Sequence, residues 1–302
     1  MVGLCLALTP ALVCSQTLSR SGARSLEPAP TNAAVFAPNA TITQGFDAGL
    51  ACPVGWTCTN NSVPIGATVN WFDGNTTVFA PQAGSGYIGA NFNMVTTTNT
   101  ISAWLISPVV QFGTGAELRF WSRTVDIPTF PDRLEIRTST GGTNTGGTNM
   151  SVGDFTNLLG TINPTLIATA GTCIVPAAAP NALGYPNAWC EYRLTNVDGI
   201  PTTGSGRVAF RYFVTDGGPT GDNSDYIGID TFSFVEGVDC TNVVVTNAND
   251  SGAGSLRQAI ADACPGSTIT FQAGVGSVNL SSGEIVLDKD LTIQGPGAAS
   301  LR

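Results

Sequence analysis

The chain has 302 residues, a length that predicts about two domains. Charged residues make up only 11% of the chain, while Gly and Pro number 36 and 18, a composition that favours β-structure with many turns and disfavours helical bundles. The net charge of -9 argues against a nucleic-acid partner, because phosphate binding requires a basic surface.

The first predicted element is an apolar run, residues 2–13, which has the length of a signal-peptide core. This run is too short to cross a bilayer as a helix, so we predict no membrane span. Val13 and Ser15 suit the small-residue rule for cleavage. We therefore expect a signal peptide over residues 1–15, a linker over residues 16–41 and a secreted or cell-surface protein.

The cysteines predict disulfides in the mature chain. Two of the eight, Cys5 and Cys14, fall within the leader, which leaves six. An even number in a secreted chain indicates a disulfide framework, although the sequence alone leaves its connectivity open. Short loops close at the lowest entropic cost, so we predict three local pairs. The predicted pairs are Cys52–Cys58, Cys173–Cys190 and Cys240–Cys264.

Strict apolar–polar alternation marks three strands in the middle of the chain, over residues 118–123, 133–137 and 207–214. A period of two with one apolar face is typical of a half-buried antiparallel strand. Several short strands joined by loops rich in Gly, Asn and Thr are typical of a jelly roll or a similar sandwich. The sequence therefore predicts an all-β jelly-roll sandwich over residues 42–237.

A series of short landmarks runs through this region in a fixed order. They are Gly45-Phe46-Asp47, Gly55-Trp56, Trp71, Gly86-Tyr87 through Asn91, Trp104 through Pro108, Leu118 through Trp121, Asp132 through Ile136, and Ile227 through Asp230. This order resembles the jelly-roll domains of the choice-of-anchor J and cleaved-adhesin group, which is related to the MAM domains of cell-surface proteins. The resemblance covers about 190 residues, and it implies a recognition module.

The same resemblance implies a calcium site where the first strand meets the last. In that group an acidic residue after the first-strand Phe and an Asp near the start of the final strand bind Ca2+, and the matching residues are Asp47 and Asp230. Carboxylates brought together from distant strands repel each other without a cation, and Ca2+ prefers oxygen ligands. The sequence departs from the commoner pattern, which has Glu at position 47 and often a second acid where Thr231 stands. We expect the ion to be structural.

Six arginines alternate with the apolar core residues of the three strands and therefore lie on the opposite face of each strand. A tryptophan lies among them. The candidate ligand-binding set is Arg119, Trp121, Arg123, Arg133, Arg137, Arg207 and Arg211. If the three strands are neighbours, they form a basic, aromatic face suited to acidic glycans. The alternative is that the arginines form cross-strand ion pairs with Glu117, Glu135 and loop aspartates.

The sequence lacks the residues of the common catalytic sites. It contains no histidine, so neither a Ser-His-Asp nor a Cys-His arrangement can form, and a zinc site built from the thiols is disfavoured. No pair of glutamates is framed in a recognisable glycosidase motif. We therefore expect a protein that is not an enzyme.

The segment from Val243 onward combines one helix with short β-rich runs. Ser255 through Gln258 has the pattern of a capping box. The helix that follows places its apolar residues on one stripe: Leu256, Ala259, Ile260 and Ala263. The β-rich runs are Thr268–Phe271, Ser277–Leu280, Glu284–Leu287 and Leu291–Gln294. One amphipathic helix followed by short, evenly spaced strands is typical of the start of a parallel β-solenoid.

This segment also carries a resemblance. The motifs Thr246-Asn247 through Ile260, Ile269-Thr270-Phe271 and Leu291 through Gly295 resemble the opening of right-handed parallel β-helices in bacterial surface and secreted proteins. The match covers about a fifth of the chain. It implies that residues 238–302 form the N-terminal cap and first coils of a β-helix. Because such coils need roughly three or more repeats for a stable core, we expect further coils after Arg302.

These patterns predict a secreted or cell-surface, non-catalytic, adhesin-like protein. The jelly roll would bind an extracellular glycan or a surface protein, and the β-helix would form a stalk. The alternative is the N-terminal part of a β-helix polysaccharide lyase or hydrolase, with the jelly roll as an accessory carbohydrate-binding module. A peptidase-associated accessory domain is a third possibility.

Overall fold

The computed structural model describes residues 40–47, 49, 52–173, 184–238, 242–295 and 297. The chain divides into two units, one of Asn39–Val238 and one that contains Asp239–Arg302. The predicted signal peptide and nearly all of the predicted linker lie outside the described residues.

The described part of the first unit contains twelve strands. They are β1 (Thr41–Gln44), β2 (Thr57–Asn60), β3 (Phe72–Asp73), β4 (Ile88–Asn91), β5 (Asn99–Ile106), β6 (Val110–Gln111), β7 (Glu117–Thr124), β8 (Leu134–Ser139), β9 (Asn157–Ile162), β10 (Cys190–Thr195), β11 (Ser205–Gly217) and β12 (Tyr226–Val235). Two short 3-10 helices, Phe92–Met94 and Asn196–Asp198, lie between strands. The three strands predicted from alternation correspond to β7, β8 and β11.

These strands form two antiparallel sheets. The β12 sheet has the order β10-β7-β12-β4-β3, with β1 also paired to β12, and the β11 sheet has the order β2-β5-β11-β8-β9, with β6 also paired to β11. Each sheet places one row of apolar side chains against the other sheet, because side chains alternate between the two faces of a strand. The predicted β-sandwich is confirmed.

Aromatic side chains join the two sheets at the centre of the core. Phe210 on β11 contacts Phe120 on β7 and Phe232 on β12, with ring centroids 4.7 Å and 6.1 Å apart, in edge-to-face geometry. All three rings are almost fully buried. Such pairs add to the free energy gained by removing the rings from water. The alternation predicted from the sequence therefore places these large side chains in one shared core.

A buried carboxyl group, that of Asp132, connects the sheets at one end of the sandwich. The hydroxyls of Tyr212 on β11 and Thr124 on β7 donate hydrogen bonds to it, at 2.5 Å and 2.6 Å. The backbone N–H of Asp225 donates a third, at 2.8 Å. Burial raises the pKa of Asp132 to about 6, although these three hydrogen bonds oppose the shift.

Two of the three predicted disulfides are present in the first unit. Cys52 is bonded to Cys58 and Cys173 to Cys190, so both local pairings are confirmed. Cys264 in the second unit is also disulfide-bonded. Cys240 lies outside the described residues, and its pairing with Cys264 stays a prediction.

The described part of the second unit contains one helix and three strands. They are β13 (Asn242–Val245), α1 (Leu256–Asp262), β14 (Ser267–Phe271) and β15 (Leu291–Ile293). The strands pair in parallel in the order β13-β14-β15. The apolar stripe of the helix packs as predicted, since Ala259, Ile260 and Ala263 are buried in one cluster with Val245 and Ile269.

Two of the four predicted β-rich runs are wrong, because Ser277–Leu280 and Glu284–Leu287 are not strands. Side chains from elsewhere bind the backbone between these runs in place of a strand ladder. The carboxylate of Asp250 accepts a hydrogen bond from the N–H of Ser282 at 2.9 Å. The guanidinium of Arg257 donates to the carbonyl of Gly283 at 2.8 Å. Side-chain hydrogen bonds therefore hold the backbone of this segment.

The predicted capping box at the start of α1 is half present. Ser255 Oγ accepts a hydrogen bond from the N–H of Gln258 at 3.2 Å, as expected for an N-cap. The amide of Gln258 does not reach back, since it donates to Asp262 Oδ1 at 2.7 Å, four residues further along the helix. The helix thus begins at the predicted residue with a single cap.

Candidate ligand and metal sites

The seven candidate ligand-binding residues do not share one face. Arg119, Trp121 and Arg123 lie on β7 in the β12 sheet, whereas Arg133, Arg137, Arg207 and Arg211 lie on or next to β8 and β11 in the β11 sheet. The three strands are not neighbours, so the condition for one basic face is not met: β7 pairs with β10 and β12. Alternation identifies the outward face of a strand but carries no information about the sheet that the strand joins.

On the outer face of the β12 sheet, ion pairs cross between β7 and β10. Glu117 binds both Arg119 and Arg193, and Arg119 Nη1 also lies 3.7 Å from Glu191 Oε1. Partial burial alone would raise the pKa of Glu117, but hydrogen bonds from Arg193 and Arg119 lower it below the ordinary value. Here the structure has the cross-strand ion pairs of the alternative prediction.

Arg123, on the same strand, is covered by an aromatic cluster. Its guanidinium carbon lies 4.4 Å from the ring centroid of Phe79, and its Nη2 contacts Asp126. Phe79 stacks on Tyr87, and Trp189 closes the cluster edge-on. Arg123 is therefore held by a cation–π contact and an ion pair.

Trp121 is partly open to solvent, although less so than Arg119 on the same strand. It lies between Glu191 on β10 and Asp230 on β12, its direct cross-strand neighbours. Within the described ranges, the structure shows no hydrogen bond and no ring contact for its side chain. The indole is consequently an apolar surface with the charged side chains of Arg119 and Glu191 beside it.

The outer face of the β11 sheet is covered by residues 140–156, here called the strap, which connect β8 to β9. Phe155 of the strap packs on Trp104, with ring centroids 5.4 Å apart, and both side chains are fully buried. Asn61 Nδ2 donates a hydrogen bond to Thr145 Oγ1 of the strap at 2.9 Å. Nothing in the local sequence pattern of this Gly-rich tract predicts that it folds over the sheet.

Arg211, expected on a solvent-facing surface, is buried beneath the strap with 2% of its surface exposed. Its guanidinium carbon lies 3.8 Å from the ring centroid of Phe213 and 4.9 Å from that of Trp104. Glu135 Oε2 lies 3.2 Å from its Nη1. Burial lowers the pKa of Arg211 to about 10, opposed by the charge of Glu135. Arg211 is thus part of the folded framework.

The other three arginines of this sheet are also engaged. Arg137 Nε pairs with Glu135 Oε2 at 2.8 Å. Arg133 lies over the ring of Phe213, with a distance of 4.6 Å to the centroid, and donates to the carbonyl of Phe213. Arg207 donates to the carbonyl of Ser107 at 2.8 Å. These contacts fix the guanidinium groups against the sheet.

The structure brings Asp47 and Asp230 to the same loop, as the calcium prediction requires. Asp47 Oδ1 accepts hydrogen bonds from the N–H groups of Ser85 and Gly86, at 2.5 Å and 3.1 Å. Asp230 Oδ2 accepts one from the N–H of Gln82 at 2.8 Å. Residues from the N-terminal end and from β12 therefore meet at residues 82–86.

These two carboxylates supply some, but not all, of the oxygen ligands that a cation site requires. Burial raises the pKa of Asp230, and the negative charge of Asp47 adds to the shift. Gln82 Oε1 and Thr231 Oγ1 lie at the same place and supply further oxygens. Ca2+ takes about six to eight oxygen ligands, and the described residues contain no group of three acidic, His or Cys side chains that could hold a metal. Backbone carbonyls or waters would have to complete the coordination.

Comparison with known proteins identifies similar folds. No protein-family model and no curated protein matches the chain. The chain is similar to the K1 cleaved adhesin domain of Lys-gingipain from Porphyromonas gingivalis, with 20% identity, a TM-score of 0.44 and coverage of 66% of this chain and 99% of that one. It is also similar to TmCBM61, solved with β-1,4-galactotriose, with 14% identity, a TM-score of 0.35 and coverage of 64% and 94%. At these values the similarities establish neither a family nor a ligand for this chain.

Proposed function

We propose that the protein is an extracellular, non-catalytic binding protein of the adhesin type, whose β-sandwich recognises a glycan. The observation that carries this proposal is the partly exposed indole of Trp121 on the outer face of the β12 sheet. An unpaired aromatic surface binds the apolar face of a sugar ring, and side chains such as Arg119 and Glu191 bind its hydroxyls. Few polar groups beside an apolar surface are typical of small-molecule sites.

The β-sandwich also offers a rigid support for such a site. Trp121 is held between β10 and β12, which are paired to β7 on either side. Sites built on strands keep their geometry better than sites on loops. The ion pairs of Glu117 with Arg119 and Arg193 fix the neighbouring side chains, so little ordering is required when a ligand binds.

Replacing Trp121 with alanine is expected to weaken glycan binding at least about thirtyfold, because truncating a tryptophan at the centre of a binding site costs about 2 kcal/mol or more. The measurement is isothermal titration with cellotriose, xylotriose and β-1,4-galactotriose. Trp121→Phe, which keeps an aromatic ring, serves as the matched control and should retain most of the affinity. Equal affinities of the wild type and Trp121→Ala would contradict the proposal.

An extracellular location is supported by the disulfides Cys52–Cys58 and Cys173–Cys190. Such bonds persist in oxidising compartments and are rare in the cytosol. None of the helices in the described ranges is long and apolar enough to cross a membrane.

We further propose that residues 238–302 form the capped start of a parallel β-helix that serves as a stalk. The support is the parallel pairing of β13, β14 and β15 in sequence order, with α1 packed on the first two strands. We also assign residues 42–237 to a jelly-roll domain of the choice-of-anchor J type. A domain expressed as residues 40–238 that melts cooperatively without the second unit would support this boundary.

A structural Ca2+ at Asp47 and Asp230 is a separate proposal. Adding Ca2+ to protein treated with a chelator should raise Tm, because a ligand bound only by the folded chain stabilises it, by about 2.7 kcal/mol at 100 times its Kd. Asp47→Asn should abolish the increase, since it removes one of the two charges. The measurement is calorimetry with and without Ca2+, with Mg2+ as the control ion. A Tm that does not respond to Ca2+ excludes the site.

A further inference from the structure

The outer face of the β11 sheet holds more positive than negative charge. Arg133, Arg137 and Arg211 lie together on this face, and Glu135 is the one carboxylate of the described residues that pairs with them. Arg137 and Arg133 each lower the pKa of Arg211, which indicates that the three guanidinium groups act on one another. This excess is notable in a chain with a net charge of -9.

Two buried hydrogen-bond donors on the same face lack partners. They are Nε1 of Trp104 and Nη2 of Arg133, each without a hydrogen bond in the part of the chain that the structure describes. Both groups donate only, so the missing partner must be an acceptor. A buried polar group without a partner costs about 1–3 kcal/mol, so a ligand oxygen that accepted from both donors would be stabilised by recovering that cost.

Arg211 lies between these two donors, and one of its hydrogen-bond acceptors is a backbone carbonyl that a ligand oxygen could replace. Its guanidinium contacts the rings of both Trp104 and Phe213, and Arg133 lies over the same Phe213 ring. Arg211 Nη2 donates to the carbonyl of Asn149 in the strap at 2.6 Å. An anionic oxygen in place of this neutral carbonyl would form a bond about twice as strong.

The strap that covers this face is a glycine-rich surface connection between β8 and β9. Five of its residues are glycines: Gly141, Gly142, Gly146, Gly147 and Gly153. Phe155 and Val152 pack on the cluster of Trp104, Asn149 and Thr145 form hydrogen bonds, and Arg137 donates to the carbonyl of Phe155 at 3.1 Å. The strap is a surface connection between two strands, and such segments open locally at a lower free-energy cost than the whole domain unfolds.

We propose that the face beneath the strap is a second ligand site, which binds an acidic saccharide when the strap opens. A carboxylate or sulfate of the ligand would bind Arg211 and Arg133 in place of Asn149, and the sugar ring would lie against Trp104. Guanidinium groups bind such oxyanions bidentately, and aromatic rings bind the apolar sugar face. This site is on the opposite sheet from Trp121, so either proposal can fail alone.

A saccharide fits this face better than an acidic peptide. Peptides commonly bind sheets by adding a strand at a free edge. Here β11 is paired to β5 on one side and to β8 on the other, so its backbone offers no free edge beneath the strap. The available groups are side chains that project from the face, which suits a ligand with ring faces and charged substituents.

The test is isothermal titration of the whole chain with trigalacturonate and with a heparin-derived sulfated tetrasaccharide. Arg133→Gln removes the guanidinium at the edge of the face and should weaken binding about tenfold or more, the factor expected for a hydrogen bond to a charged group. Arg257→Gln, which removes an arginine of the second unit, is the matched control and should bind as the wild type does. The sulfated and carboxylated probes distinguish which oxyanion the site prefers.

Each outcome decides the proposal. Loss of binding in Arg133→Gln but not in Arg257→Gln supports it. The proposal is overturned if neither probe binds, or if Arg133→Gln binds as tightly as the wild type. It is also overturned if only Trp121→Ala loses binding, and that result would leave the Trp121 surface as the glycan site. A polyglutamate peptide is tested in the same way. If it binds as tightly as the saccharides and its binding also depends on Arg133, the face binds acidic proteins and the proposal of a saccharide ligand is overturned.

If Arg133→Gln does not fold, amide hydrogen exchange of the wild type provides the test. Trigalacturonate should increase exchange over residues 140–156, and unchanged exchange refutes the site.

Discussion

Replacing Glu135 with glutamine is expected to lower the free energy of unfolding by about 3–5 kcal/mol, the usual cost of leaving a buried charge without its partner. Glu135 Oε2 lies 3.2 Å from Nη1 of Arg211 and 2.8 Å from Nε of Arg137, and the three side chains are at most 11% exposed. Glutamine keeps the size of the side chain but leaves two guanidinium groups without a counter-charge. Urea unfolding monitored by circular dichroism measures the change.

The matched control for this substitution is Glu191→Gln on the other sheet. Glu191 pairs with Arg119 at 3.7 Å, in a setting where the arginine side chain is 44% exposed. Solvent screens such a pair, so its loss should cost less than about 1 kcal/mol. Equally small losses for the two variants would mean that water reaches Glu135 beneath the strap, contrary to the packing of Phe155 on Trp104.

Replacing Asp132 with asparagine is expected to remove a pH dependence of stability between about pH 4 and pH 6. Burial raises the pKa of Asp132 from 3.8 to about 6, so the folded chain binds the proton more tightly than the unfolded chain does. Stability is then greatest below pH 4 and falls as pH rises through 6, by about 3 kcal/mol for a shift of this size. In the variant this contribution should vanish.

The geometry around Asp132 makes asparagine a suitable test. The carbonyl oxygen of the new amide can accept from Tyr212 and Asp225, as Asp132 Oδ1 does. Its N–H can donate to Thr124 Oγ1, whose hydroxyl is within 3.0 Å of the carbonyl of Tyr226. Burial also raises the pKa of Asp225 and Asp230, so the quantity to compare is the difference between variant and wild type at each pH. A difference that does not change with pH would show that Asp132 is ionised in the folded chain at pH 4.

Local pattern predicted which residues face the core, because the side-chain period of a strand is set by the backbone itself. Leu118 and Phe120 are buried and Arg119 is exposed, as alternation on β7 requires. Local pattern could not predict that Glu135 and Arg211 are buried as well. That outcome depends on the strap, whose packing on Trp104 joins residues about fifty positions apart in sequence.

For the candidate sites, too, local sequence pattern could not predict which distant segments become neighbours. The resemblance to jelly-roll domains placed Asp47 and Asp230 together, and the structure has them at one loop. A shared arginine face required the three strands to be neighbours, but the chain crosses between sheets from β7 to β8. Ser277–Leu280 and Glu284–Leu287 have strand-like composition, yet a strand also requires a partner, and Asp250 and Arg257 bind the backbone between them.

The disulfide between Cys173 and Cys190 has a consequence for proteolysis. It closes the connection that leads into β10, a strand at the edge of the β12 sheet. A protease that cuts anywhere between the two cysteines would open the polypeptide without releasing either part, since the sulfur bridge still joins them. The nicked chain would migrate as one species on a gel without reductant and as two fragments with it, and Trp121 would keep β10 as its neighbour after the cut.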